Sequence, residues 1–341
     1  MISQYITFPA AKRAELLSRE LPALAPGEWL LRSETSLVST GTELIVFNGE
    51  FDPGSHWDNW VQWPVTSVGY NLIGRVEAVG EGVSDVQVGE RYAARVSHAS
   101  RHIMSKDSFA GWVRVPESIP SADAVWFGMA TIAQIGFRRA ELKLGDNIAI
   151  IGAGLLGQLI TQYARLAGAD DIIMIDTAPA RLEMAQSHGA THVFQGTAEQ
   201  ARDVVYERTN GRGADVVFDV TGHPSAFSAG LRLSREFGTL LLLGDAPKPS
   251  EQRLTGDVVT RGVKIVGGHD GYPQRAGSGF EHWSHREMTK LFLTFLERGQ
   301  MNVGDLVTHR FDYSEAPDAF PMLLADRSKA MGVLFDWTKA E

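Results

Sequence analysis

The chain has 341 residues, of which 44% are hydrophobic and 21% are charged, and its formal net charge is −9. This composition is typical of a globular protein with two domains, and the acidic balance argues against a nucleic-acid partner. The sequence contains no cysteine, which excludes disulfides, a thiol nucleophile and a cysteine-ligated metal. No apolar run reaches membrane-spanning length and the first residues lack signal-peptide features, so we expect a cytoplasmic protein without a membrane partner.

Short β-like runs dominate the first 120 residues. Examples are Glu28 to Arg32, Gly74 to Ala78 and Gly111 to Val115, in a region where glycine and proline are frequent. These runs predict an irregular β-rich domain.

From residue 145 to residue 268, strand and helix patterns alternate regularly. Strands are predicted at 148–151, 172–176, 191–194, 214–220, 239–243 and 263–267, and helices at 155–168, 179–188, 199–209 and 223–236. Six strands with short connections predict an α/β fold with a doubly wound parallel sheet. Beyond it, an amphipathic helix is predicted at 287–298 and a final strand at 332–337.

The first strand of this alternation leads into a glycine-rich turn. Gly152, Gly154 and Gly157 form a G-x-G-x-x-G pattern between the strand and an amphipathic helix. The first glycine permits the tight turn, the second lets the backbone approach a pyrophosphate, and the third lets helix and strand pack closely. A diphosphate then lies on the helix N-terminus, so the pattern predicts a dinucleotide site.

Asp176, at the end of the second strand, indicates which dinucleotide is bound. It lies 19 residues beyond Gly157, where a carboxylate accepts hydrogen bonds from an adenine-ribose diol. Because the same charge repels a 2′-phosphate, NAD is favoured over NADP. Arg181, in the following helix, is expected to flank the adenine. The other positions expected to line the cofactor are Leu155, Leu156, Thr131, Thr221, Gly244, Gly267 and Gly268.

Further motifs lie on both sides of the glycine-rich turn. The stretch GYNLIGRVEAVG at 69–80 is similar to a G-H-E-x-x-G-x-V-x-x-V-G strand pair, and VGER at 88–91 is similar to a V-G-D-R turn. Leu144-Gly-Asp precedes the nucleotide turn, and Asp176 is followed by Arg181-Leu. Together these motifs resemble the medium-chain dehydrogenase/reductase family over essentially the whole chain.

The resemblance implies a domain arrangement and an assembly. A β-rich, GroES-like catalytic domain is expected at 1–122, a Rossmann domain at 123–268, and a C-terminal return that packs on the catalytic domain at 269–341. The predicted strand at 263–266 would lie at a sheet edge, where pairing with a symmetry mate covers it. We therefore expect a homodimer or a homotetramer.

The resemblance also identifies the positions that hold catalytic zinc in the zinc-dependent members of the family. Thr40 occupies the cysteine position, Tyr70 and Asn71 occupy the histidine and glutamate positions, and a further ligand position falls near Gly128. None of these is a suitable zinc ligand, because such sites use thiolate, imidazole or carboxylate. The sequence therefore predicts a zinc-free enzyme.

Hydride transfer from an alcohol needs an acceptor for the hydroxyl proton. By resemblance, Thr42 hydrogen-bonds the substrate hydroxyl and relays its proton. Tyr70 is either the hydrogen-bond donor that replaces zinc or an aromatic ring that fills the space. His98, His102 and His269 are candidate bases, with ordinary core or surface histidines as the alternative.

Aromatic and polar residues alternate between Phe51 and Trp63. Tryptophan faces among polar side chains suit a ring that carries several hydroxyls, and a packed subunit interface is the alternative. Trp57 and Trp60, with Thr40 and Asn71, are the expected substrate-binding residues. The expected substrate is a small polyhydroxylated molecule: a polyol, a sugar or a cyclitol.

Three functions remain open from the sequence. The first is a zinc-independent, NAD-dependent oxidoreductase that acts on a secondary hydroxyl or ketone. The second is a quinone or enone reductase, against which Asp176 counts because such enzymes commonly prefer NADPH. The third is a non-catalytic dinucleotide-binding redox sensor, against which the retained Thr42 counts.

Overall fold

A computed structural model describes residues 1–108, 112–271 and 282–340. By its contacts the chain divides into two units. Unit 1 comprises Met1–Glu50, Asn59–Gly128 and Pro273–Glu341, and unit 2 comprises Phe51–Asp58 and Met129–Tyr272. The domain boundaries expected from the sequence remain predictions. None of the described helices combines the length and the apolar character that a membrane span requires.

The strands of the described residues, in chain order, are β1 Ile2–Ala10, β2 Arg13–Glu20, β3 Glu28–Leu37, β4 Leu72–Val79, β5 Arg91–Ala94, β6 Arg101–Ser105, β7 Trp112–Arg114, β8 Ile148–Ile151, β9 Ile172–Asp176, β10 His192–Gln195, β11 Ala214–Asp219, β12 Ser234–Leu242, β13 Lys264–Gly267, β14 Val307–Asp312 and β15 Gly332–Asp336. Gly111, the first residue of one predicted strand, lies outside the described residues.

The α-helices of the described residues are α1 Thr42–Asn48, α2 His56–Trp60, α3 Ser121–Ala124, α4 Phe127–Arg139, α5 Leu155–Leu166, α6 Pro179–Ser187, α7 Arg202–Arg208, α8 Pro224–Leu233, α9 Asp257–Thr260, α10 His285–Glu297 and α11 Ala316–Ala325. Short 3₁₀ helices occur at Pro249–Glu251, Gly304–Leu306 and Tyr313–Glu315.

Unit 2 is built on a six-stranded parallel sheet in the order β10-β9-β8-β11-β12-β13. Its central strands β8 and β11 pair with Ile148 opposite Val216, and β8 is buried along its whole length. Near-continuous burial of β-branched residues is typical of a parallel strand that is covered on both faces. The predicted doubly wound α/β fold is therefore confirmed, and β13 lies at an edge of the sheet.

Most element boundaries in unit 2 lie within two residues of the prediction, and three differ by more: the start of β12, the end of α8 and the start of α7. Strand β12 begins at Ser234 and not at 239, because the backbone becomes extended at Ser234, the C-cap of α8, and this residue already pairs with Ala214 of β11. Helix α7 begins at Arg202 and not at 199. The preceding turn is held by Thr197, whose amide donates to the side chain of Gln200, and by a bond from the Gln200 amide back to the threonine hydroxyl.

Unit 1 contains a seven-stranded sheet organised around the long strand β3. The sheet order is β14-β15-β3-β4-β5-β7, and β6 also pairs with β3. The final strand β15 pairs with the carboxyl end of β3, with Leu334 opposite Leu37. Strands β1 and β2 form a separate antiparallel pair.

The pairing of β3 with β4 determines where the candidate active-site residues of unit 1 lie. Because the strands are antiparallel, with Ser36 opposite Leu72, the residues after β3 and those before β4 emerge at the same end of the sheet. The sequence analysis predicted only β structure in this region. The structure instead places helix α1 directly after β3, with Thr42 as its first residue.

Candidate active site

The glycine-rich turn of unit 2 has the geometry that a dinucleotide requires. Gly152 has a φ of +105°, a conformation that favours glycine, and a Cβ on Gly157 would lie 2.0 Å from the carbonyl oxygen of Gly152. A Cβ on Gly154 would meet no atom within 4 Å, so the backbone is open there. The turn therefore combines a left-handed bend, close helix packing and an uncovered stretch of backbone.

Helix α5 begins beside this open backbone. Its N-cap residue is Gly154, which supplies no side-chain cap to the first turn. The first amides of an α-helix have no partner within the helix, so those of Leu155 and Leu156 are suited to an anion.

Asp176 is held next to this turn by backbone amides. Its Oδ2 accepts from the amide of Ala153 at 2.7 Å, and its Oδ1 accepts from the amide of Ala178 at 2.8 Å. A carboxylate oxygen has two acceptor sites, so each oxygen retains capacity for a ribose hydroxyl. Arg181 is the third residue of α6, and its carbonyl accepts from the Gln158 side chain. The glycine turn and the anchored carboxylate fit a nicotinamide dinucleotide.

The carboxyl ends of β11 and β12 approach each other closely. Asp219 accepts bonds from the amide and hydroxyl of Thr221, and burial raises the pKa of its carboxyl group. A Cβ on Gly244 would lie 2.4 Å from the amide nitrogen of Gly222, so only glycine fits that position. Thr221 and Gly244 therefore lie at the edge where a parallel sheet binds its ligands.

The remaining predicted cofactor residues lie around β13 and α4. A Cβ on Gly268 would come within 3.2 Å of the Cα of Gly136, so the strand end packs closely on α4. The neighbouring Gly267 accepts a bond from Arg139 through its carbonyl oxygen, and its own Cβ position is open. Thr131, on the same helix, is 1% exposed.

Unit 1 contains a cavity of about 300 Å³ that brings several predicted residues together. Its polar lining consists of Thr42, Glu43, Ser67, Tyr70, Arg95 and Ser97. The remaining lining residues are Phe8, Val46, Trp60, Val65, Val68, Gly69 and Val96. Thr42, Tyr70 and Trp60 therefore share one cavity. Trp57 is 4% exposed and belongs to unit 2.

Tyr70 is held in a defined orientation in this cavity. Its phenol donates to the hydroxyl of Ser39 at 2.8 Å, and the guanidinium of Arg95 lies 5.2 Å from its ring centroid. The ring therefore has a polar partner at the phenol and a cation over its face.

Glu43, which lines the cavity, forms a buried ionisable pair with His98. The sequence analysis considered His98 but missed Glu43. Oε2 of Glu43 lies 3.0 Å from Nε2 of His98, and Oε1 of Glu43 accepts from the amide of Ser39. His98 is fully buried, and its Nδ1 lies 2.7 Å from the Ser36 hydroxyl. No local spacing signals this carboxylate, since it accepts from the amide of Ser39 while the N-cap of α1 is Gly41, without a side-chain cap.

The resemblance implies four zinc-ligand positions, and two of them, 71 and 128, are packed against each other. A Cβ on Gly128 would lie 1.7 Å from Oδ1 of Asn71, which is fully buried. Neither amide atom of Asn71 has a hydrogen-bond partner among the described residues. Thr40 is 8% exposed, and the phenol of Tyr70 bonds Ser39. A hydroxyl, a phenol and a carboxamide do not fit a catalytic zinc.

The other two histidines considered as bases lie in contrasting environments. Burial lowers the pKa of His102 to about 4, so this side chain is neutral at pH 7, and it is not among the cavity-lining residues. His269 is exposed and follows β13 in unit 2, where its ring centroid lies 5.7 Å from that of His56.

Comparisons with known proteins agree with this architecture. A family model described as "Zinc-binding dehydrogenase" matches residues 156–276, a range that contains none of positions 40, 70, 71 and 128. The L-threonine 3-dehydrogenase of Bacillus subtilis is 27% identical over an alignment of 344 positions. The alignment covers 91% of this chain and 92% of that protein.

Solved structures match over nearly the whole chain. They include 2R,3R-butanediol dehydrogenase from Bacillus subtilis, with 18% identity, and galactitol-1-phosphate dehydrogenase from Escherichia coli, with 19% identity. Both have a TM-score of 0.79, and each alignment covers 98% of this chain and 99% of the other. These structures show the fold that this chain shares.

Proposed function

We propose that the chain is an oxidoreductase of the medium-chain dehydrogenase/reductase family, and that it transfers hydride between NAD and a secondary hydroxyl or ketone without the family's catalytic zinc. The observation that carries the proposal is the contact of Asn71 with Gly128. The carboxamide fills the space that a ligand side chain at position 128 would need. No step of the reaction is therefore assigned to a metal at these positions.

The cavity of unit 1 offers hydroxyl groups for the proton chemistry. A bound nicotinamide would accept the hydride that the substrate C–H bond gives up in the oxidation direction. The hydroxyl of Thr42 accepts the substrate O–H proton as it releases its own proton to water in the cavity, which carries it to bulk solvent. The phenol of Tyr70 turns from Ser39 to donate a hydrogen bond to the substrate oxygen, as an electrophile in place of zinc.

Glu43 and His98 act as positioning residues in this proposal. The link between Ser39 and Glu43 runs through a backbone amide, which does not release its proton. The Tyr70–Ser39 hydroxyl pair and the Glu43–His98 pair are therefore separate hydrogen-bond networks. The buried carboxylate holds the turn that carries Ser39, and His98 holds the carboxylate.

Asp176 supports NAD as the cofactor. Its two oxygens are fixed by backbone amides, so the carboxylate cannot easily turn away from an incoming 2′-phosphate. Repulsion of that phosphate favours NAD over NADP.

A polyol, sugar or cyclitol is the proposed substrate class. The cavity presents hydroxyl groups and a guanidinium on an otherwise mainly apolar lining that includes the exposed Trp60, which suits a molecule with hydroxyls and apolar C–H faces. The names of the compared proteins refer to compounds that carry a secondary hydroxyl, which supports this chemistry.

We also propose a homodimer or a homotetramer that uses the edge strand β13. Ile265 on this strand is 38% exposed, and an uncovered apolar edge favours pairing with a second copy. Light scattering at micromolar concentration tests the assembly, and a monomer would contradict it.

A substrate panel tests the proposed reaction. Polyols, cyclitols, L-threonine and enones are each assayed with NAD(H) and NADP(H), with cofactor affinities measured by titration. We expect NAD-dependent oxidation of a hydroxylated compound. Reduction of enones with NADPH alone would favour the quinone or enone reductase, and NAD binding without any turnover would favour the redox sensor.

A further inference from the structure

Three exposed side chains of unit 2 bring metal-binding atoms together. They are His56, Asp245 and His269, and one ligand atom from each lies within 4.8 Å of the other two. The two imidazole rings are 5.7 Å apart between centroids and are inclined at 78°, so they do not stack on each other.

The parallel sheet positions two of these residues. Asp245 follows β12, which ends at Leu242, and His269 follows β13, which ends at Gly267. These strands are neighbours, with Leu242 opposite Gly267, so both side chains emerge at the carboxyl edge of the sheet. Open parallel sheets bind their ligands at this edge.

The third residue, His56, belongs to a segment that is anchored through the amide and the side chain of Asp52. The amide of Asp52 donates to the carbonyl of Pro247 at 2.9 Å, and its Oδ2 accepts from the amide of Ser250 at 2.8 Å. These bonds attach Phe51–Asp58 to the chain that follows Asp245. His56, the first residue of α2, is thus fixed near the strand ends.

The chemistry of the three groups suits a divalent transition metal. Two imidazoles and one carboxylate are a donor set that zinc uses where a fourth position stays open. Zn–N bonds of about 2.0–2.1 Å separate tetrahedral ligands by roughly 3.3 Å, so small side-chain movements from the present spacing suffice.

We propose that His56, Asp245 and His269 form a binding site for one divalent transition metal ion, which ties the segment Phe51–Asp58 to the carboxyl edge of the parallel sheet. The site lies outside the family's zinc positions, and the proposed hydride transfer does not use it. The amide of Gly271 donates to Nδ1 of His269, and metal binding replaces this contact. When His269 is bound to the metal ion, its coordinating nitrogen cannot also act as a catalytic base.

Zinc binding to the whole chain tests the site. Protein without a histidine tag is stripped with a chelator and titrated with ZnCl₂ by calorimetry, with bound metal counted by elemental analysis. We expect one ion per chain and an increase in melting temperature with zinc. His56→Gln, Asp245→Asn and His269→Gln should each weaken binding at least about 10-fold and abolish the thermal shift.

His309→Gln, at a half-buried histidine on β14 of unit 1, is the control and should bind zinc as the wild type does. The three ligand residues are exposed, so their variants should retain the wild-type melting temperature without metal. No stoichiometric binding, or binding that the three variants leave unchanged, would overturn the proposal. These measurements contain neither NAD nor substrate, so their failure is distinct from a failure of the proposed dehydrogenase activity.

Discussion

The side-chain oxygen of Asn71 lies where the side chain of any larger residue at position 128 would begin, since a Cβ on Gly128 would approach it to 1.7 Å. Asn71 is fully buried, so it has little room to move aside. The two positions therefore constrain each other. A zinc-ligand side chain at position 128 would require a different side chain at position 71.

This contact predicts a strong coupling between the two positions. Gly128→Ala forces the new methyl group against the buried carboxamide, and overpacking of this kind typically costs about 1–3 kcal/mol of unfolding free energy. Asn71→Ala removes the obstructing atoms, so the double variant should recover part of that loss. A double-mutant cycle by chemical denaturation measures the coupling. An additive result would show that Asn71 moves freely.

The sequence predicted the parts of the molecule that depend on local pattern. The six parallel strands and the dinucleotide turn follow from β-branched runs and from glycines at fixed spacing. The candidate site of unit 1 depends on contacts between distant residues. Glu43 and His98, for example, are 55 positions apart, and nothing in their spacing indicates that they meet.

Local pattern also failed where tertiary packing decides the conformation. Helix α1 carries Thr42 directly after a β-strand, and seven residues are too few to give a clear helical period. Asn71 was expected to contact substrate, but its full burial against Gly128 became visible only in the structure.

Thr42→Val tests the proposed proton relay. The substitution keeps the branched shape at the start of α1 and removes the hydroxyl, so NAD affinity should persist while turnover falls. Proton-transfer steps typically contribute about 10²–10⁴-fold, which is the expected loss. Ser67→Ala removes another hydroxyl from the same cavity and should leave kcat within a few-fold of the wild type. Equal kcat values for Thr42→Val and wild type would exclude the relay.

Tyr70→Phe separates the two possible roles of this residue. The variant retains the aromatic ring beneath Arg95 and deletes only the hydroxyl group that bonds Ser39. If the phenol polarises the substrate oxygen, kcat should fall by about 10²-fold or more, because loss of one such donor typically costs 10²–10³. Steady-state kinetics at saturating NAD gives the answer. A near-silent change would mean that the ring only fills space.

The buried His102 predicts a component of the stability that depends on pH. Burial lowers its pKa from 6.5 to about 4, so the unfolded chain binds this proton more readily than the folded protein does. The contribution of His102 to the unfolding free energy is therefore fully present above pH 6.5. It is lost as the pH falls toward 4, and the total loss is about 3 kcal/mol.

His102→Gln should flatten this pH dependence relative to the wild type, whatever its effect on absolute stability. Unfolding free energies at pH 4.5 and pH 7 give the difference. His309→Gln, at a half-buried position, serves as the control and should retain the wild-type slope. Identical slopes for His102→Gln and wild type would place the acid sensitivity in other groups.

Turnover of metal-depleted enzyme tests the central claim most directly. The protein is stripped with a chelator, elemental analysis verifies that zinc is far below one ion per chain, and NADH formation is followed with the best substrate of the panel. The account predicts kcat and KM equal to those of the untreated enzyme, with no gain when zinc is returned. Loss of turnover on stripping and its recovery with one equivalent of zinc would contradict it.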